Sequence, residues 1–104
     1  MRQKKIRSIT IIGRRWFEKT NGNTYFSAIG LINGEVVVSI DFSYGYGSQY
    51  ESEIIRKMKD AKLLPGIEEY ASGGSQSGWS YCDKNSIAYY STVSDVAKRK
   101  DLAF

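Results

Sequence analysis

An α+β fold is predicted for this chain: an antiparallel three-stranded β-sheet followed by an α-helix, β-β-β-α, with a C-terminal β-α extension. Three observations predict it. Two runs of alternating apolar and polar residues flank Asn33-Gly34, a dipeptide that favours the positive φ angles of a tight hairpin. Ser48 and Glu51 form a capping box at the head of a run whose apolar residues recur at helical spacing. Pro65-Gly66 then marks a stop. The 104 residues fit one domain, with residues 1–64 as its core and residues 65–104 as the extension.

Residues 4–17 read as the first strand. Ile9, Ile11 and Phe17 fall on one face and Ile6, Ile12 and Trp16 on the other, so the pattern leaves its register open. Thr20-Asn21-Gly22-Asn23 supplies a turn. A two-residue turn at Asn33-Gly34 pairs Ile32 with Glu35, Leu31 with Val36, Ile29 with Val38, Ser27 with Ile40 and Tyr25 with Phe42. The last four pairs are almost all apolar and are expected to face the core. Ile54, Ile55, Met58 and Ala61 share one side of a helix over 48–63, opposite Arg56, Lys57 and Lys59. Residues 72–78, rich in Ser and Gly, read as a flexible loop. Trp79 to Cys82 and Ser86 to Val93 are expected to form a short hairpin turning at residues 83–85, with Ser94 capping a final helical stretch through Lys98 to Leu102.

Composition removes several chemistries. The chain has no histidine and one cysteine, Cys82, which excludes an internal disulfide, most zinc sites, a Cys/His pair and a Ser/His/Asp triad. Cys82 reads as an inert buried side chain, and Trp79, Tyr81, Tyr89 and Tyr90 as core or interface residues. A hydrolase or nuclease would have to work through carboxylates, tyrosines and lysines, with magnesium as the candidate metal, and Glu18, Asp41 and Glu51 are the carboxylates near the features described below. Glu51 is taken by the cap and Asp41 by strand pairing, so no reaction, cofactor or metal is assigned. No apolar run has the length of a membrane span, and the basic N-terminus lacks a secretory h-region, which makes the cytoplasm the default compartment.

The net charge of +4 is unevenly spread. Residues 1–19 hold Arg2, Lys4, Lys5, Arg7, Arg14, Arg15 and Lys19 against Glu18 alone, and the rest of the chain is slightly acidic. A basic first strand suits a phosphate-bearing partner or an acidic protein surface; lysines on an edge strand also serve simply to block aggregation. The loop Tyr44-Gly45-Tyr46-Gly47 feeds the capped helix, and glycines and free amides at a helix start are where an anion can be held. Tyr44 and Tyr46 supply rings for stacking. Arg14 and Arg15 supply forked donors, and Trp16 stands beside them. Tyr44, Gly45, Tyr46, Gly47, Arg14, Arg15 and Trp16 are therefore the candidate binding residues. The bland account of the same residues is a tight strand-to-helix turn and cross-strand aromatic packing.

The succession Arg14-Arg15-Trp16-Phe17, Gly22-Asn23-Thr24-Tyr25, Asn33-Gly34 and Tyr44-Gly45-Tyr46-Gly47-Ser48-Gln49-Tyr50 resembles a family of small uncharacterised bacteriophage proteins over residues 4–64. The resemblance implies a phage or prophage origin, hence the host cytoplasm, and supplies no activity. The expectation is a non-enzymatic accessory protein that binds nucleic acid or a nucleotide through the basic strand and the Gly/Tyr loop. Its rivals are an anti-defence inhibitor that docks on a host protein or sequesters a signalling nucleotide, and a metal-dependent nuclease or phosphodiesterase. A homodimer through a free strand edge is a further expectation.

Overall fold

The structure is a computed structural model that describes residues 6–45, 47, 49–65, 67 and 75–104, with the backbone alone for residues 75–78. It is a small α+β fold built on one four-stranded sheet in the order β3-β2-β1-β4. Strand β1 spans Ser8–Glu18, β2 Asn23–Ile32, β3 Glu35–Tyr44 and β4 Ala88–Val96. Helices α1 (Gln49–Asp60) and α2 (Ser75–Lys84) lie between β3 and β4 in sequence, and a short 3₁₀ turn, Arg99–Leu102, follows β4. No helix among the described residues is long and apolar enough to cross a membrane.

The expected hairpin forms. Asn33 and Gly34 both take positive φ, 53° and 84°, as a primed two-residue turn requires. The Asn33 side-chain oxygen accepts the amides of Arg7 and Ser8 at 2.6 and 3.2 Å, which joins the hairpin tip to the start of β1. Ile32 pairs with Glu35 and Leu31 with Val36, as expected.

Beyond that point the expected register is overturned. Gly30 pairs with Val38 and Ala28 with Ile40, then Phe26 with Ser43 and Tyr25 with Tyr44. Each shift inserts one extra β3 residue, and each therefore turns the following side chains to the other face of the sheet. The buried face of β2 consists of Phe26, Ala28 and Gly30, not the Tyr25, Ser27, Ile29, Leu31 set that alternation favoured. Val38 and Ile40 follow that face and pack against the core.

Glycine decides which face the helix takes. A Cβ on Gly30 would stand 2.6 Å from both Ile54 Cγ2 and Met58 Cε, and one on Gly13 would stand 2.7 Å from Tyr50 Cδ2. Helix α1 therefore beds over two diagonal positions, Gly13 and Gly30, that carry no side chain, placing Tyr50, Ile54, Ile55 and Met58 against Ile9, Ile11, Phe26 and Ala28. The helix ends earlier than Pro65 suggested. Lys62 takes φ 59°, its amide bonds to Lys59 O at 2.9 Å, and the Leu63 amide bonds to Met58 O at 2.9 Å. That is a Schellman stop with a lysine in the left-handed position.

The C-terminal part differs most from expectation. Residues 72–74 of the expected flexible loop lie outside the described residues, while Ser75–Lys84 is helical, so Trp79 to Cys82 is not a strand. Tyr81 and Cys82 are buried together on α2, and the Tyr81 hydroxyl donates to Pro65 O at 2.8 Å. Residues 88–96 form a fourth strand, parallel to β1, with Ser8 opposite Ala88 and Trp16 opposite Val96. The sheet is thus mixed rather than antiparallel. Ser94 lies inside this strand and caps nothing, and the closing 3₁₀ turn has no side-chain cap.

A methyl group at Gly30 tests the bedding of the helix. Gly30→Ala should destabilise the protein by about 1–3 kcal/mol through overpacking in urea unfolding. An unchanged midpoint would mean that α1 does not rest on these positions.

Candidate functional site

The expected site residues divide between two faces of the sheet, because successive side chains on a strand point in opposite directions. Arg15 points to the helix side. Its guanidinium is 3.1 Å from Asp95 Oδ1, and its Nη1 donates to Gly47 O at 3.4 Å. The loop therefore offers Arg15 a carbonyl acceptor at Gly47. Asp95 is 79% exposed, so the ion pair contributes little to stability. Gly45 is buried against Phe26, and its amide bonds to Thr24 O at 3.0 Å, which makes it a close-packed turn position. Tyr46 and Ser48 lie outside the described residues.

The carboxylate expected in the helix cap has other partners. Glu51 Oε2 accepts the Tyr89 hydroxyl at 2.8 Å and Oε1 accepts Ser91 Oγ at 3.1 Å, tying α1 to β4. Asp41, expected to be held by strand pairing, falls in the β3 bulge and has no strand partner in the register. Glu18 Oε1 accepts the Asn21 amide at 3.1 Å in the β1–β2 turn. These three carboxylates stand on separate elements, β1, β3 and α1. Among the described residues no three acidic or cysteine side chains gather as metal ligands.

Arg14, Trp16 and Tyr44 point to the opposite face, where neither α1 nor α2 packs. Pairing of β1 with β2 and β2 with β3 sets Trp16, Tyr25 and Tyr44 side by side across three strands. Trp16 and Tyr25 stack with ring centres 5.8 Å apart, and Tyr25 stacks on Phe42 at 4.8 Å while meeting Tyr44 edge-on at 5.7 Å. The bulge is what brings both Phe42 and Tyr44 to Tyr25, since a regular strand would have placed Phe42 alone opposite it. Phe42 and Tyr44 remain 40% and 55% exposed.

Two guanidinium groups flank this ladder. Arg99 lies 4.4 Å over the Phe42 ring, and Arg14 lies 4.2 Å over the Phe104 ring. Arg14 Nη1 also donates to the carbonyls of Asp101 and Ala103. Residues 97–104 thus cross this face of the sheet. Leu102 is buried there, and the buried Ser27 hydroxyl donates to its carbonyl at 2.5 Å. Between this segment and β3 runs an open groove of ≈ 880 Å³ whose walls include Val36, Ile29, Phe42 and Phe104, with Arg99 and Lys100 at the rim.

Sequence reasoning saw the aromatic and basic weight of residues 14–17 and 25–26, but it missed Phe42, Arg99 and Phe104. The Arg99 signal was present in the basic run Lys98-Arg99-Lys100, yet nothing local says that this run returns to β3. Of the other aromatics singled out, Tyr81 is buried and Tyr89 half-buried, whereas Trp79 and Tyr90 stand in solvent.

Burial pushes the Tyr89 hydroxyl above its usual value of 10.0, and donation to Glu51 adds to the rise. Burial also pushes the Cys82 thiol up to about 11 from 9.0. Both groups lose protons more readily in the unfolded chain than in the folded one. Their contribution is therefore complete below about pH 9 and is lost as pH climbs through the unfolded values toward the folded ones. Tyr89→Phe removes one of these titrations and keeps the ring. Its urea midpoint should fall less steeply between about pH 9.5 and 11 than that of the unsubstituted chain. Equal slopes would show that Tyr89 titrates at its ordinary value. No family model, curated protein or solved structure matches the chain.

Proposed function

We propose that this protein binds single-stranded nucleic acid on the face of its sheet opposite α1 and α2, as a small accessory protein of the phage type that its motifs resemble. The observation that carries the reading is the row of rings formed by Trp16, Tyr25, Phe42 and Tyr44, partly open to solvent and bracketed by Arg14 and Arg99. Each unstacked base presents a π-face on which an exposed aromatic ring can stack, and Phe42 and Tyr44 stand partly in solvent at the end of the row. Sheets with helices behind and aromatics in front are a recurring solution to single-strand RNA recognition. A row of rings exceeds what one nucleotide can cover, which favours a strand over a mononucleotide. Arg14, Arg99 and Lys100 supply the phosphate contacts, and their side chains border the ladder or the groove beside it.

The reading moves the site off the Gly/Tyr loop and onto the sheet. It retains Arg14, Trp16 and Tyr44 from the expected set, and it leaves Arg15, Gly45 and Gly47 as supports of the strand-to-helix turn.

Fluorescence anisotropy with a labelled oligo-dT or oligo-U tests the proposal. Tyr25→Ala and Trp16→Ala should each weaken binding by about 1–3 kcal/mol. With about three phosphates neutralised, affinity should fall roughly 10–20-fold between about 50 and 200 mM salt. Binding that is absent at the lower salt would overturn the proposal. So would a preference for duplex that the ladder substitutions leave unchanged.

A further inference from the structure

We propose that residues 98–104 act as a tethered competitor of the ligand, occupying the aromatic face in the free protein and leaving it when a strand binds. This inference rests on the nucleic-acid reading above and adds to it a built-in regulation of the same face. The segment makes, within the chain, the same two kinds of contact that a nucleic acid would make. Its Asp101 and Ala103 carbonyls take the Arg14 guanidinium, where phosphate oxygens would sit. Its Arg99 lies 4.4 Å over the Phe42 ring, where a base would stack. Phe104 closes the other side of Arg14.

The balance of these contacts favours exchange. A neutral carbonyl is a weaker acceptor for guanidinium than a phosphate anion, which adds the attraction of opposite full charges and can take two guanidinium donors at once. The segment is also lightly held. Leu102 is its single buried side chain, at 2% exposed, and its neighbours on both sides are exposed. A Ser27 hydroxyl bond to the Leu102 carbonyl, the Arg14 contacts and Arg99 over Phe42 add to the attachment. Segments with few buried apolar contacts open at low free-energy cost. Once released, Lys98, Arg99 and Lys100 are free to follow the phosphates of the bound strand, so displacement adds favourable charge instead of only removing an obstacle.

Two substitutions and one exchange measurement test the device in the full chain with labelled oligo-dT. Phe104→Ala removes one cation–π contact and should tighten binding by about threefold. Leu102→Ala removes the anchor and should tighten it further. Folding of each variant is checked by near-UV circular dichroism. In amide hydrogen exchange of the unsubstituted protein, the Asp101 and Ala103 amides should lose protection when oligo-dT is added, while those of β1 and β2 should not. Folded variants that bind oligo-dT no better than the unsubstituted chain would overturn the competitor and leave the binding proposal standing. A gain of protection at residues 99–104 would do the same, since it describes a cover that closes over the ligand. If neither the unsubstituted chain nor either variant binds oligo-dT at low salt, the binding proposal itself fails and the competitor fails with it.

Discussion

The contact on which the rest of this structure depends is the seating of α1 over Gly13 and Gly30, two diagonal positions of the sheet that carry no side chain. A strand glycine costs backbone entropy and contributes no packing of its own. Here it lets Tyr50, Ile54 and Met58 approach the sheet closely enough to bury completely or nearly so. A helix that sits this close commits one face of the sheet to the core. The opposite face then carries neither α1 nor α2, and the aromatic residues that point that way stay at least partly in water.

Bulges in β3 resolve a conflict that the strand would otherwise carry. Val36, Val38, Ile40 and Phe42 alternate perfectly in sequence and would all face one side of a regular ladder. With the bulges, Val38 and Ile40 go to the core while Val36, Phe42 and Tyr44 go to the open face. The same distortion protects an edge strand, because irregular edges pair poorly with other chains. Lys57 adds to that protection by donating to Ser39 O at 2.9 Å. A device that limits edge pairing and one that gathers rings around Tyr25 are here the same two inserted residues.

Arg14 and Arg15 illustrate how little adjacency means on a strand. Arg15 braces the helix side through Gly47 O and Asp95, with solvent close enough to screen the pair. Arg14 lies among aromatic rings and backbone carbonyls, a setting suited to a guanidinium, which is planar and weakly hydrated. Fourteen and fifteen are one pair in the sequence and two unrelated interactions in the fold.

Much of this was legible locally, because turns and helical spacing are short-range objects. Asn33-Gly34 specified the hairpin and its first two pairs, the helical spacing of Ile54, Ile55 and Met58 specified α1 and its buried side, and the turn at Gly22 followed from residue type alone. Alternation misled where it met the bulges, since an inserted residue is invisible until two strands are laid against each other. Residues 75–84 read as loop and strand from Ser, Gly and aromatic content, yet packing of Tyr81 and Cys82 against the core made them helical, tertiary burial overriding weak propensity. The parallel pairing of β1 with β4 joins residues some eighty positions apart, and no local pattern encodes such a partner. So it is with the candidate site: the sequence by itself determined that rings and cations gather near residues 14–26 and that tyrosines stand at 44 and 46. Only the tertiary structure decided which of them share a face, and that residues 98–104 return to lie across it.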